Sequence, residues 1–147
     1  MIYDVNTHKY ATFLTRACYN VRVTAALRLL DAGIEDVNAK SSEDGTTPLW
    51  KACRSGLEDL ALRLLDTVDG DVDAKHIMNG TTPLFWACEK SLETVALRLI
   101  DTGDVDVDAK DTRNGTTPLW QACCKGLETV AMRLLDTGDV DIDAEKT

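Results

Sequence analysis

The chain writes the same passage several times, in register. Gly45, Gly80 and Gly115 are 35 residues apart, and the same offset relates Pro48, Pro83 and Pro118, and Cys53, Cys88 and Cys123. The offset also reaches back. Cys18, Leu27, Arg28, Leu29, Leu30 and Asp31 stand where Cys53, Leu62, Arg63, Leu64, Leu65 and Asp66 stand one period later. A period between about 20 and 50 residues confines a chain to a solenoid, in which each unit packs only on its neighbours and the core runs along a rod. Four units are predicted, at about 10–44, 45–79, 80–114 and 115–147, with residues 1–9 as an extension and the whole of 1–147 as one domain. The first unit lacks the Gly-Thr-Thr-Pro turn.

The second unit shows what each period should build. Thr47 can cap a helix through its hydroxyl, with Pro48 in the first helical position, where a missing N–H costs nothing. A helix of about ten residues is expected, with Leu49, Ala52 and Cys53 inward and Gly56 as the left-handed residue that stops it. Leu57, Leu60, Ala61, Leu64 and Leu65 then fall at i, i+3, i+4, i+7 and i+8, the apolar stripe of a second helix that leaves Glu58, Asp59 and Arg63 outside. After Asp66, acids alternate with apolar residues at period two, as in Asp104, Asp106 and Asp108, which predicts an extended arm returning to the next turn. The fold class is therefore an all-α repeat: helix-turn-helix units joined by hairpin-like loops.

The passage "DGTTPLWKACRSGLEDLALRLLDT" with its later "DVDA" resembles the ankyrin repeat, and Thr-Pro-Leu recurs in phase three times. The resemblance covers nearly the whole chain. It implies a non-enzymatic module that binds a partner protein. Three features depart from the family pattern. The unit is 35 residues instead of 33, with the additions in the arm; Trp50, Phe85 and Trp120 replace a His; and Ser91 stands where Gly56 and Gly126 stand, at a strain of about 1 kcal/mol. The Trp-Ala-Cys and "ETVALRLIDTG" wording is also similar in composition to arrays expanded in giant viruses of amoebae.

Charge and cysteines narrow the function. The net charge is −9, and residues 31–44, 66–73, 101–111 and 136–143 hold eighteen of the twenty-five acids. Nucleic acid is a poor partner for such an edge; solubility, or a partner with a basic surface, explains it. Neither a signal peptide nor a run of about 18 apolar residues is present, so no membrane role is expected. Four of the five cysteines take one position per unit, too far apart in a stacked array to pair. They are expected to be reduced and buried, in a cytoplasmic, reducing setting (a host cytoplasm if the source is viral), with Cys124 at an exposed position. The acidic arms lack the closing glycine and bidentate Glu of a calcium loop, so neither a metal nor any other cofactor is expected, and bonds within the turns should occupy these acids. His8 and His76 form no pair, and no phosphate loop or nucleophile elbow occurs, so no catalytic residues are assigned.

Comparison of the three full units separates scaffold from variation. Variation falls at the hairpin tips, at the position after the aromatic, and at the end of the first helix, positions that the resemblance implies face a partner. The expected contact set is Glu43, Thr46, Lys51, Arg54 and Ser55; His76, Ile77, Met78, Thr81, Trp86, Glu89 and Lys90; and Arg113, Thr116, Gln121, Cys124 and Lys125. The tip that leads into the third unit, Ile77 and Met78, alone combines apolar residues with a Trp after the aromatic, Trp86, the makeup of an interface hot spot. If Trp86 is such an anchor, Trp86→Ala together with Met78→Ser should spare the melting temperature and abolish capture of the partner; if it packs on Phe85 or the neighbouring helix, it belongs to the core. A competing expectation is self-association, through Met132, Leu134 and Leu135 of a last unit without an obvious cover.

Overall fold

A computed structural model describes residue 17 and residues 22–33, 37–67 and 71–142. The first unit's Cys18, the proposed extension and His8 lie outside these residues. Among the described residues seven helices follow in order: α1 (Val23–Ala32), α2 (Pro48–Arg54), α3 (Glu58–Thr67), α4 (Pro83–Glu89), α5 (Glu93–Thr102), α6 (Pro118–Cys124) and α7 (Glu128–Asp136). Each short helix packs on the longer one after it. The short helices α2, α4 and α6 stack in one layer, and α1, α3, α5 and α7 stack in a second. This is the helical repeat solenoid that the period demands.

The turn chemistry is built as its residue types dictate. The hydroxyls of Thr47, Thr82 and Thr117 accept from the backbone N–H of Trp50, Phe85 and Trp120, at 3.3, 3.2 and 3.2 Å, with Pro in the first turn each time. The short helices run seven residues instead of ten. Ser55, Lys90 and Lys125 already act as C-caps, and the following residue is left-handed: Gly56 at φ 73°, Gly126 at 71°, and Ser91 at 59°. Ser91 is the one non-Gly residue with positive φ among the described residues, as its replacement of a glycine requires.

The core is continuous between the layers. Leu49, Ala52, Cys53, Leu60, Ala61 and Leu64 of one unit adjoin Leu84, Ala87, Cys88, Val95, Ala96 and Leu99 of the next. Along the outer layer, Arg63 pairs with Asp31, Arg98 with Asp66 at 2.7 Å, and Arg133 with Asp101, each tying one unit to the unit before. These partly exposed pairs contribute at most about 1 kcal/mol apiece; apolar burial does most of the work.

The acidic arms use their carboxylates within the turns, as expected. No strand forms among the described residues. The carboxylates instead accept backbone amides: Asp73 N–H donates to Asp71 Oδ1 and Asp108 N–H to Asp106 Oδ1, both at 3.0 Å, within the arms. Between arms, Asp106 N–H donates to Asp73 Oδ2 at 3.1 Å and Asp141 N–H to Asp108 Oδ2 at 2.9 Å. An acid every second residue thus serves bends and cross-arm ties, because short carboxylates compete with strand pairing for local N–H groups. Burial pushes the Asp73 carboxyl above its ordinary value, which the Asp106 amide and the Lys75 charge only partly offset.

The hairpin tips also stack. Within them, Ser41 N–H bonds Thr46 O at 2.8 Å, His76 N–H bonds Thr81 O at 3.0 Å and Asp111 N–H bonds Thr116 O at 2.9 Å. Between them, Ile77 N–H donates to Asp44 O and Thr112 N–H to Asn79 O, both at 2.9 Å. Successive fingers therefore form a ladder in fixed register, and this register places the side chains of three different units around one cleft.

Candidate functional site: a cationic, aromatic cleft between the fingers and the short helices

Helix α2 presents Trp50, Lys51 and Arg54, with Lys51 and Arg54 three apart on the same face. Helix α4, stacked beside it, presents Trp86, and the fingers add His76, Asn79 and Arg113. Together with Asp44 they line a cleft of about 260 Å³.

Its floor is fixed by the two tryptophans. Trp50 is 2% exposed and its Nε1–H donates to the carbonyl of Thr81 in the next unit at 2.9 Å. Trp86 Nε1–H donates to the hydroxyl of the same Thr81 at 3.0 Å. The two indoles meet edge to face at 5.9 Å, Phe85 abuts Trp86 at 5.3 Å, and His76 tilts over Trp50 at 5.3 Å. Such ring pairs each add about 0.5–1.5 kcal/mol beyond their area burial.

Cations cover the ring faces. Lys51 Nζ stands 5.1 Å from the Trp50 centroid; the Arg54 guanidinium lies 6.0 Å from Trp50 and 5.7 Å from Trp86; Lys90 Nζ is 5.9 Å from Trp86. These separations are within cation–π range.

Asp44 anchors the rim. It accepts from Lys51 Nζ at 2.7 Å, from Thr46 Oγ1 at 2.6 Å and from Thr46 N–H at 3.0 Å, with His76 Nε2 4.0 Å away. Burial alone would raise its carboxyl, but the bonds from Lys51 and Thr46 outweigh that and hold it at about 2, below the usual 3.8. A depressed carboxyl stabilises the fold above its unfolded value and loses that contribution as pH falls through the folded one. Asp44 should therefore weaken the fold only between about pH 4 and 2. Carbon-detected NMR titration is expected to give a midpoint near 2 that Lys51→Ala moves upward; an unmoved midpoint would remove Lys51 from the cause.

Lys51, Arg54, His76, Trp86 and Arg113 of the expected contact set converge on this cleft. Ile77 and Met78 project from the tip, 65% and 77% exposed. Glu43, Lys90, Cys124 and Lys125 are exposed; Ser55, Gln121 and Glu89 are half-buried, with Glu89 facing Lys90 at 3.5 Å and Lys125 at 3.9 Å.

Three members are corrected. Thr46, Thr81 and Thr116 are buried, and their hydroxyls are used inside the turns: Thr46 and Thr81 donate to Asp44 and Asn79, and Thr116 accepts from Gln121. They cannot face a partner. Trp86 is also bound into the fold more firmly than an anchor at a free surface would be, through Phe85, Trp50 and Thr81. Its removal should therefore lower the melting temperature.

Two further expectations change at the last unit. Cys53 and Cys88 are buried, and burial pushes the Cys88 thiol up to about 12, but Cys123 is exposed beside Cys124. Among the described residues, α6 has a short helix stacked on one side only. Leu134 is buried, whereas Met132 and Leu135 are exposed, as is Trp120 at 43%. The aromatic column therefore has an open face at Trp120.

Sequence comparison missed Asp44, Trp50 and Asn79, because they repeat or nearly repeat and so read as scaffold. The signal was the period itself: residues 35 apart become neighbours in the stack, so Asp44 beside Asn79 and Lys51 beside Trp86 were implied by the register.

Among the described residues, no group of three or more His, Cys, Asp or Glu is placed to hold a metal ion, and no helix is long and apolar enough to cross a membrane. A family model described as ankyrin repeats, in three copies, matches residues 68–146, more than half of the chain. No curated protein matches it.

Proposed function

The chain belongs to the ankyrin-repeat family, and from that premise we propose that it is a non-enzymatic recognition module that binds a partner protein across its fingertips and the cleft beside α2 and α4. Repeats of this family are generally protein–protein interaction modules. The observation that carries the proposal is the combination of two exposed apolar side chains, Ile77 and Met78, with an aromatic cleft whose lining comes from three units. Packed rings lose little entropy on binding, and adaptable methionine beside them can fit an irregular surface. The acidic arms favour a partner whose facing edge is basic.

Catalysis has no support in the cleft. Its acid is bonded to Lys51 and Thr46, and a carboxylate held at about 2 is too weak a base for proton transfer at neutral pH.

Met78→Ser tests the proposal at a side chain that is 77% exposed, and it leaves in place the backbone bonds of residue 78 to His76 and Thr112. The variant should melt with the wild-type chain and bind a native partner more weakly, by a factor of about 5 to 30 if Met78 is a contact of ordinary weight. Equal binding by wild type and variant, measured by calorimetry on the purified pair, would move the interface away from the tip.

A further inference from the structure

We infer that the cleft between α2, α4 and the fingers is a receptor for one carboxylate side chain, an Asp or Glu on an extended segment of the partner protein. The inference rests on the recognition reading and names the chemistry of its central contact.

The first step excludes a cationic guest. An aromatic pocket of two tryptophans would suit an ammonium group, but both rings already carry cations: Lys51 over Trp50, Lys90 over Trp86, and Arg54 within 6.0 Å of each. The acid that could receive a partner's lysine, Asp44, already accepts from Lys51 and from two donors of Thr46, and its charge is offset by Lys51.

The second step finds unused cations. Lys51 and Asp44 neutralise each other at 2.7 Å. Arg54 has no carboxylate partner among the described residues; its guanidinium rests near the indoles, leaving its planar fork of N–H donors presented to the cleft. The Arg113 guanidinium, on the next finger, stands 3.8 Å from its one acid, Asp111, whose Oδ1 already accepts the Arg113 backbone N–H at 2.9 Å. Two guanidinium groups therefore line the same cleft of about 260 Å³ in a chain of net charge −9. Arginine forks match a carboxylate through two parallel hydrogen bonds, and an arginine held near aromatic faces has already lost much of the freedom that binding would remove.

The third step sets the charge of the guest. Asp44 and Asp111 remain in or beside the walls as fixed negative charges. A phosphate dianion doubles both the attraction to the guanidiniums and the repulsion from the acids, whereas the cost of stripping its water rises with the square of its charge, so a monoanion is the less costly guest. The balance favours a carboxylate.

Selection from a random heptapeptide library on phage, with the whole chain as bait, tests the inference. Recovered peptides should share an Asp or Glu at one aligned position. Replacing that acid by its amide, or Arg54 by Gln in the chain, should weaken binding roughly ten- to hundredfold, with Arg113→Gln acting in the same direction. Both variants should melt with the wild-type chain; if Arg54→Gln does not, Arg113→Gln, exposed on its finger, decides alone. Peptides without a shared acid, or with an acid indifferent to both arginines, would overturn the carboxylate receptor while leaving protein recognition standing. No peptide above background would count against both readings. Tighter binding when phosphoserine replaces the acid would overturn the inference in favour of a phosphorylated ligand.

Discussion

Replacing Trp50 by Ala should destabilise the chain by about 3–5 kcal/mol, the largest effect expected from any single substitution in the cleft. Trp50 is 2% exposed, so nearly the whole indole leaves a void beneath α4. Its Nε1–H bond to Thr81 O is also lost, although that carbonyl keeps the His76 N–H at 3.0 Å. Trp86 and His76 lose the ring on which they pack. The same substitution one end along the stack provides the contrast. Trp120 occupies the equivalent place but is 43% exposed, and Trp120→Ala should cost only about 1–2 kcal/mol. Urea unfolding of both variants checks the difference. Equal losses would mean that the aromatic positions act as independent units, with no added weight from the neighbour stacked above.

Gly80→Ala should cost about 2–4 kcal/mol, for two separable reasons. The residue sits at φ 71°, where a Cβ is disfavoured, and that Cβ would stand 2.9 Å from the carbonyl oxygen of Lys110. The obstruction is backbone, so relief requires the next finger to move, at the expense of the Thr112 N–H bond to Asn79 O. Gly103 isolates the first reason. Its φ is 73° with nothing within 4 Å of a Cβ, and Gly103→Ala should cost about 1 kcal/mol. Thermal or urea unfolding of the pair reads the gap directly. If the two variants lose the same stability, finger stacking adds nothing, and the register that assembles the cleft is set by the helices alone.

These two substitutions also mark what could be read from the sequence. The period, the threonine caps, the prolines in the first turn and the left-handed residues at 56, 91 and 126 are local chemistry, decided within a few residues, and each is where the spacing places it. The arms were less legible. Bonds within the turns were expected of these acids and occur, as from Asp73 N–H to Asp71, but the ties between arms, as from Asp106 N–H to Asp73, depend on how the units stack. Burial at the threonines was hidden for another reason: Thr46, Thr81 and Thr116 border variable tips, yet their hydroxyls close the turn inward.

The cleft was half visible. Comparison of the units found the members that change, Lys51, Arg54, His76, Trp86 and Arg113, because variation is what such a comparison detects. It passed over Trp50 and Asn79, whose chemistry serves both scaffold and site, and it could not show that Arg54 reaches the rings of two different units. That contact depends on how tightly α2 and α4 stack, a property of packed side chains that no single unit encodes.

Hydrogen exchange of the whole chain, free and saturated with its protein partner, is the most direct test of the recognition surface. The account predicts added protection at the fingertip amides of residues 76–78 and 112–113 and at the end of α2 around Arg54, with the outer helices α3, α5 and α7 unchanged. Protection confined to those outer helices, with the tips and cleft exchanging as in the free chain, would contradict it.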